Sequence, residues 1–184
     1  MILFRCFPWD GGVDPEARGG PVWFPRMLQG AGRHDNPLLY GCLYVSEEPV
    51  SPVVEQLARL RGSGLAKADL VRRGLPLALA AVELGDAAVL VDLDEPRVLA
   101  DEGLRPSFVA TGERARTQAD AATLFGRRPE ASGLRWWSTF ESQWPNVTLF
   151  RAAGSLDVGD VRALALGDDV VEEAARFLGL PVTR

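Results

Sequence analysis

The sequence predicts an α+β fold, and three observations lead there. β-prone runs of strand length recur at Ile2–Phe7, Gly41–Ser46, Leu77–Leu84, Ala87–Leu93, Leu134–Ser138 and Asn146–Phe150. Helical periodicity sits in other segments, between residues 52 and 61, 111 and 125, and 168 and 178. The chain has 184 residues, 47% apolar and 24% charged, the size and mix of one soluble domain with a full core. No internal repeat, linker or low-complexity tract divides it, so residues 1–184 read as a single domain.

Taken in order, Ile2–Phe7 alternates as a strand, with Arg5 on the face opposite Phe4 and Cys6. Pro8–Pro37 is rich in Gly and Pro and reads as long loops with one helical turn, pinned by Trp9, Trp23, Phe24 and Met27. Gly41–Ser46 puts Cys42, Tyr44 and Ser46 on one face of a strand and Leu43 and Val45 on the other. Ser51-Pro52 has the look of an N-cap followed by N1, opening a helix to Arg61. That helix buries Val53, Val54, Leu57 and Leu60 and turns Glu55 away from the stripe, before Gly62-Ser63-Gly64 stops it.

Leu77–Leu84 and Ala87–Leu93 flank Gly85-Asp86, the pattern of a type II′ hairpin. A short helix is expected within Glu95–Pro106, and Thr111 is placed to cap a helix reaching about Phe125. Two strands follow, at Leu134–Ser138 and Asn146–Phe150. Asp168 then caps a last helix with Val170, Val171, Ala174, Phe177 and Leu178 inward, stopped by Gly179 and Pro181.

Composition excludes several classes. A net charge of −5 without any run of Lys or Arg argues against a nucleic-acid partner. Lys67 is the lone lysine among twenty basic residues, so the chain's cations are almost all planar, bidentate anion binders. Two separated cysteines give no disulfide framework. The first residues are too soon charged for a signal peptide, and Leu75–Leu93 is broken by Glu83, Asp86 and Asp92, so it does not span a membrane. The expected location is the cytoplasm. His34 is the sole histidine, which leaves a zinc site and a Ser-His-Asp triad without ligands or a base to spare. Neither a Walker-type loop nor a complete dinucleotide-binding glycine fingerprint is present.

What remains is an ordered set of motifs. Gly32-Arg33-His34-Asp35-Asn36 is followed by Leu43-Tyr44-Val45-Ser46 and then Pro52-Val53-Val54-Glu55. Further on come Asp92-Leu93, Arg116-Thr117-Gln118, Gly133-Leu134-Arg135-Trp136-Trp137-Ser138-Thr139 and Asn146-Val147-Thr148-Leu149-Phe150. In order and spacing this set resembles the RES domain, a family named for its Arg, Glu and Ser, over about Phe4 to Leu180.

The resemblance implies a split mixed sheet flanked by helices, similar to the ADP-ribosyltransferase group of toxins. It implies an NAD-degrading enzyme that cleaves the nicotinamide–ribose bond, the toxin of a bacterial toxin–antitoxin pair. NAD is then the substrate, no metal is needed, and the usual partner is a helix-turn-helix antitoxin of the Xre type. Neither nucleic acid nor membrane is a direct partner, and self-association into a homo-oligomer stays open.

Carried over by position, Arg33, Tyr44, Glu55 and Ser138 match the family's arginine, tyrosine, glutamate and serine, and Arg5 matches a second arginine near its start. Arg33, Glu55 and Ser138 are expected at the chemistry; Arg5, Arg33, Tyr44 and Ser138 are expected to bind the dinucleotide. Two departures stand out. His34-Asp35-Asn36 replaces a Trp-Asn pair, and Ser142 lies close enough to compete with Ser138. The same resemblance admits a domain that binds a nucleotide or a protein without catalysis, or a transferase that ADP-ribosylates a macromolecule.

Chemistry gives each residue a task. Cleaving the ribose–nicotinamide bond builds positive charge on the sugar, which a carboxylate such as Glu55 stabilises. Guanidinium forks suit the pyrophosphate, so Arg33 and Arg5 form the expected clamp. Tyr44 offers a ring to stack on a base, and Ser138 a hydroxyl for the ribose or carboxamide. Read singly, each has a plain alternative: a solvated arginine, a packing tyrosine, a solvated glutamate near the helix N-terminus and a serine that satisfies backbone.

Overall fold

A computed structural model describes residues 1–24, 26–150 and 156–183. The chain is α+β, with eight strands in one mixed sheet flanked by helices. Its contacts divide it into two units. The first contains Met1–Trp23, Ser46–Leu84 and Leu156–Arg184; the second contains Phe24–Val45 and Gly85–Ser155.

In the first unit β1 (Ile2–Pro8) lies antiparallel to β4 (Leu75–Leu84), with Phe4 opposite Ala81 and Cys6 opposite Leu79. The other edge of β4 is shared by the two-residue β3 (Val71–Arg72) and by β8 (Leu156–Ala163). Helix α1 (Val50–Leu57) packs on β1 and on α5 (Asp169–Leu178). The apolar stripe Val53, Val54, Leu57 and Leu60 is buried and Glu55 is exposed, as the periodicity requires. At about 25 cal/mol per Å² of apolar surface, four such side chains contribute about 6–12 kcal/mol of transfer free energy.

The first unit corrects four expectations. Helix α1 starts at Val50 after Pro49, which places the buried Ser51 inside the first turn and gives it no N-cap role. Glu55 therefore sits more than one turn from the helix N-terminus, beyond the reach of its dipole. The tight hairpin is at Arg73-Gly74, where φ values of 55° and 79° make the primed turn joining β3 to β4. Phe177 is 39% exposed, and Ala175 takes the inward place beside Val171 and Ala174.

In the second unit the strand order is β2 (Cys42–Ser46), β7 (Pro145–Phe150), β6 (Gly133–Trp137) and β5 (Leu90–Asp92). β6 and β7 are antiparallel, with Leu134 opposite Thr148 and Trp136 opposite Asn146, while β5 and β6 are parallel. Helices α2 (Pro96–Glu102), α3 (Pro106–Val109) and α4 (Arg114–Arg127) belong to this unit. Leu99, Val109, Ala121 and Leu124 form its core with Leu134 and Trp136. Thr111 stands two residues short of the α4 N-cap, Glu113, and accepts that residue's N–H at 3.2 Å.

The hairpin expected at Gly85-Asp86 does not form. Both edges of β4 are already taken, and Gly85 is not among the glycines at positive φ that a II′ turn needs. β5 instead joins β6, on the far side of a turn closed by Ala88 N–H to Gly85 C=O.

Candidate functional site

The Gly-rich loop before β2 is a built object. The Asp35 carboxylate accepts the backbone N–H of Gly30 at 2.8 Å, the N–H of Gly32 at 2.7 Å and the Tyr44 hydroxyl at 2.6 Å. A carboxylate taking three donors is well satisfied although it is only 6% exposed. Gly32 is required here, since a Cβ would stand 2.5 Å from both Asp35 Oδ1 and Tyr44 Oη. From α4, Gln118 Nε2 donates to the carbonyls of Gly30 and Gly32, and Thr117 Oγ1 donates to the Arg33 carbonyl at 2.6 Å. The Arg-Thr-Gln block of the sequence thus holds the arginine loop in place.

Arg33 leaves this scaffold with its guanidinium 5.1 Å from the centre of the Trp136 ring. Its Nη1 donates to the carbonyls of Val109, the last residue of α3, at 3.2 Å and of Thr111, just beyond it, at 2.5 Å. Tyr44 spends its hydroxyl on Asp35 while accepting the His34 N–H at 2.9 Å, which leaves the half-buried ring as its free chemistry. Burial, the first cause, drives the phenol far above its ordinary range, with the Cys42 thiol and Asp35 adding to it, so Tyr44 stays protonated.

His34 is 3% exposed, at 5.2 Å from Trp136 edge-to-face and stacked at 6.4 Å on Tyr44. Burial and then the nearby Arg33 charge hold its pKa down to about 3, so the imidazole is neutral. The His34-Asp35 pair is therefore the interior of the loop: one residue packs, the other ties. Asn36 completes it by bonding the Gln118 carbonyl at 2.9 Å.

Ser138 follows β6 and is 3% exposed. Its Oγ accepts the Phe140 N–H at 3.1 Å and its N–H donates to Trp144 C=O, so the hydroxyl shapes the turn after the strand. Ser142 is exposed beside the carboxylate of Glu141. Arg33, Tyr44 and Ser138 all belong to the second unit, and the structure brings Arg33 and Tyr44 together through one loop.

Arg5 and Glu55 belong to the first unit. Arg5 donates to the Pro21 carbonyl, lies 5.2 Å from the Phe7 ring centre, and has its pKa lowered to about 10 by burial. Both Arg5 and Glu55 act on the Cys6 thiol, which burial pushes up to about 12. Gln56, next to Glu55, bonds the Cys6 carbonyl at 3.3 Å and the Arg72 guanidinium. Three residues that the sequence motifs contained but to which sequence reasoning gave no role, Asp35, Thr117 and Gln118, hold the loop. The recurrence of Gly30, Gly32 and Asp35 within six residues was the available signal, since Asp turns on nearby backbone amides.

No family model matches the sequence, and no curated protein matches it. A solved structure does: the M. tuberculosis MbcT–MbcA toxin–antitoxin complex, with a TM-score of 0.63 at 14% identity, over 97% of this chain and 87% of that one. The likeness shows a shared fold. Among the described residues no cluster of His, Cys, Asp and Glu has a metal-binding arrangement, and no helix is long and apolar enough to cross a membrane.

Proposed function

We propose that the chain is the toxin of a toxin–antitoxin pair and that it acts by cleaving the nicotinamide–ribose bond of NAD. The observation that carries this reading is the likeness of fold to a toxin solved with its antitoxin, extending over 97% of the chain. The ordered Arg33, Tyr44, Glu55 and Ser138 of the RES resemblance supply the chemistry. In the proposed reaction the bond from ribose C1′ to the pyridinium nitrogen breaks, and its electron pair neutralises nicotinamide. Water or phosphate forms the new bond at C1′; water releases a proton to solvent. Glu55 stabilises the positive charge on the ribose while that exchange is in progress. Arg33 and Arg5 are assigned the pyrophosphate. Tyr44 contributes a ring face, its hydroxyl being engaged, and Ser138 a hydroxyl for the ribose or carboxamide. A helix-turn-helix antitoxin of the Xre type is the proposed partner.

The test is nicotinamide release from NAD by purified protein free of any partner, with and without phosphate. Release under either condition supports the reading, and its complete absence from a folded sample removes it. One observation favours a second reading, binding without turnover: Nη1 of Arg33 is already held by two carbonyls. Calorimetry that finds NAD bound and recovered intact after hours selects that alternative.

A further inference from the structure

Between α3, α4 and β6, wholly inside the second unit, lies a cavity of about 20 Å³. Leu93, Phe108, Val109, Leu124 and Leu134 make its walls, and His34, Thr117 and Asp120 bring polar atoms to it. The hydrogen bonds around His34 fix its tautomer. Thr148 Oγ1 is fully buried and meets two groups, Trp136 Nε1 at 3.0 Å and His34 Nδ1 at 2.8 Å. Indole N–H only donates, so the hydroxyl accepts from Trp136. Its second lone pair could take an Nδ1–H as well, but the buried hydroxyl hydrogen would then have no acceptor among the described residues; donating it to Nδ1 avoids that cost and is the arrangement we infer. Nδ1 is therefore bare, and the ring proton is on Nε2.

Nε2–H has no partner among the described residues, where every fully enclosed side-chain nitrogen and oxygen has one. Nε2 is thus the edge of His34 open to the cavity. An acceptor is also at hand: Asp120 gives Oδ2 to Arg116 at 2.9 Å and keeps Oδ1, while Thr117 Oγ1 donates to backbone and retains lone pairs. The lining offers one fixed donor, anionic and hydroxyl acceptors, and apolar walls. An anion would meet Asp120 and a cation would meet the N–H, so a neutral group that both accepts and donates fits best.

We propose that this cavity is a binding site for a small uncharged group of the size of a primary carboxamide or a hydroxyl, whose oxygen accepts the Nε2–H of His34. Occupancy of this site is independent of whether the chain cleaves NAD.

Because His34 is the single histidine, a long-range proton–nitrogen correlation spectrum of labelled protein reads the site directly. The spectrum should show a bare Nδ1 and a protonated Nε2. Acetamide should shift Nε2 saturably, with half-saturation between about 1 and 100 mM, the range open to a four-atom ligand. Sodium acetate at the same concentration should leave it in place. Ala121→Val, which adds bulk to the lining, should weaken the acetamide response by about tenfold or more. A proton on Nδ1, an Nε2 signal indifferent to acetamide, or an equal response to acetate would each overturn the proposal; these three readings come from the unaltered protein and stand even if the variant fails to fold.

Discussion

Acid should destabilise this protein through one imidazole, and the size of the effect follows from its burial. His34 has an ordinary pKa of 6.5 when unfolded and about 3 in the fold, where desolvation and then Arg33 oppose its charge. Between those values the unfolded chain binds a proton that the folded chain refuses, so stability rises with pH there. The contribution is complete above pH 6.5 and is lost as pH falls from 6.5 toward 3. Each pKa unit corresponds to about 1.36 kcal/mol, which makes the loss about 1.4 kcal/mol at pH 5.5 and about 2 kcal/mol at pH 5.

Urea unfolding near pH 8 and near pH 5.5, on the protein and on His34→Gln, isolates that term. Glutamine does not titrate, and carboxylates contribute little above pH 5.5, so the difference between the two pH slopes belongs to His34. The unaltered protein should lose about 1.4 kcal/mol more than the variant, whatever the variant's own stability. Parallel slopes would refute the reasoning, because they would mean that His34 takes up its proton inside the fold at little cost.

Three other perturbations follow from the loop. Asp35→Asn keeps the shape but turns an amide toward donors, so it should cost about 2–4 kcal/mol in chemical denaturation and speed hydrogen exchange at the Gly30 and Gly32 amides. Gly32→Ala sets a methyl group 2.5 Å from two oxygens and should cost more than Gly30→Ala, which, with nothing within 4 Å, should cost only the strain of its positive φ, about 1–3 kcal/mol, as chemical denaturation would read. Glu55→Gln, on an exposed position, should leave the melting temperature unchanged and reduce nicotinamide release by about 100-fold or more; equal release would remove Glu55 from the chemistry.

Periodicity made much of the fold legible. The strands at Ile2, Cys42, Gly133 and Pro145 and the buried stripe of α1 all lie where apolar spacing puts them, because those residues face the core in alternation or at helical intervals. Other elements carried no such signal. β8 reads Leu-Asp-Val-Gly-Asp-Val-Arg-Ala and is largely exposed, so its residues look like a loop until β4 offers an edge to pair with. The false hairpin at Gly85-Asp86 arose because two β-prone runs met at a glycine, and only tertiary pairing decides whether neighbours in sequence become neighbours in a sheet. For the site, Arg33 and Tyr44 were legible as a pair across loop and strand. The tie from His34 to Thr148 spans 114 positions, and no local pattern announces it.

The loop's hydrogen bonds also restrict how an anion can be bound there. Gly-rich turns commonly cradle phosphates with free backbone amides, but here the amides of Gly30 and Gly32 both point at Asp35. A phosphate arriving at those amides would have to displace a carboxylate that also holds Tyr44. On the proposed reading, an anion at this loop would therefore be met by the Arg33 guanidinium and not by the Gly30 and Gly32 amides. On that reasoning Arg33→Lys, which keeps the charge but loses the planar fork, should weaken NAD binding almost as much as Arg33→Ala. A lysine variant that binds NAD at full strength would instead mean that a point charge suffices and that the fork has no part in recognition.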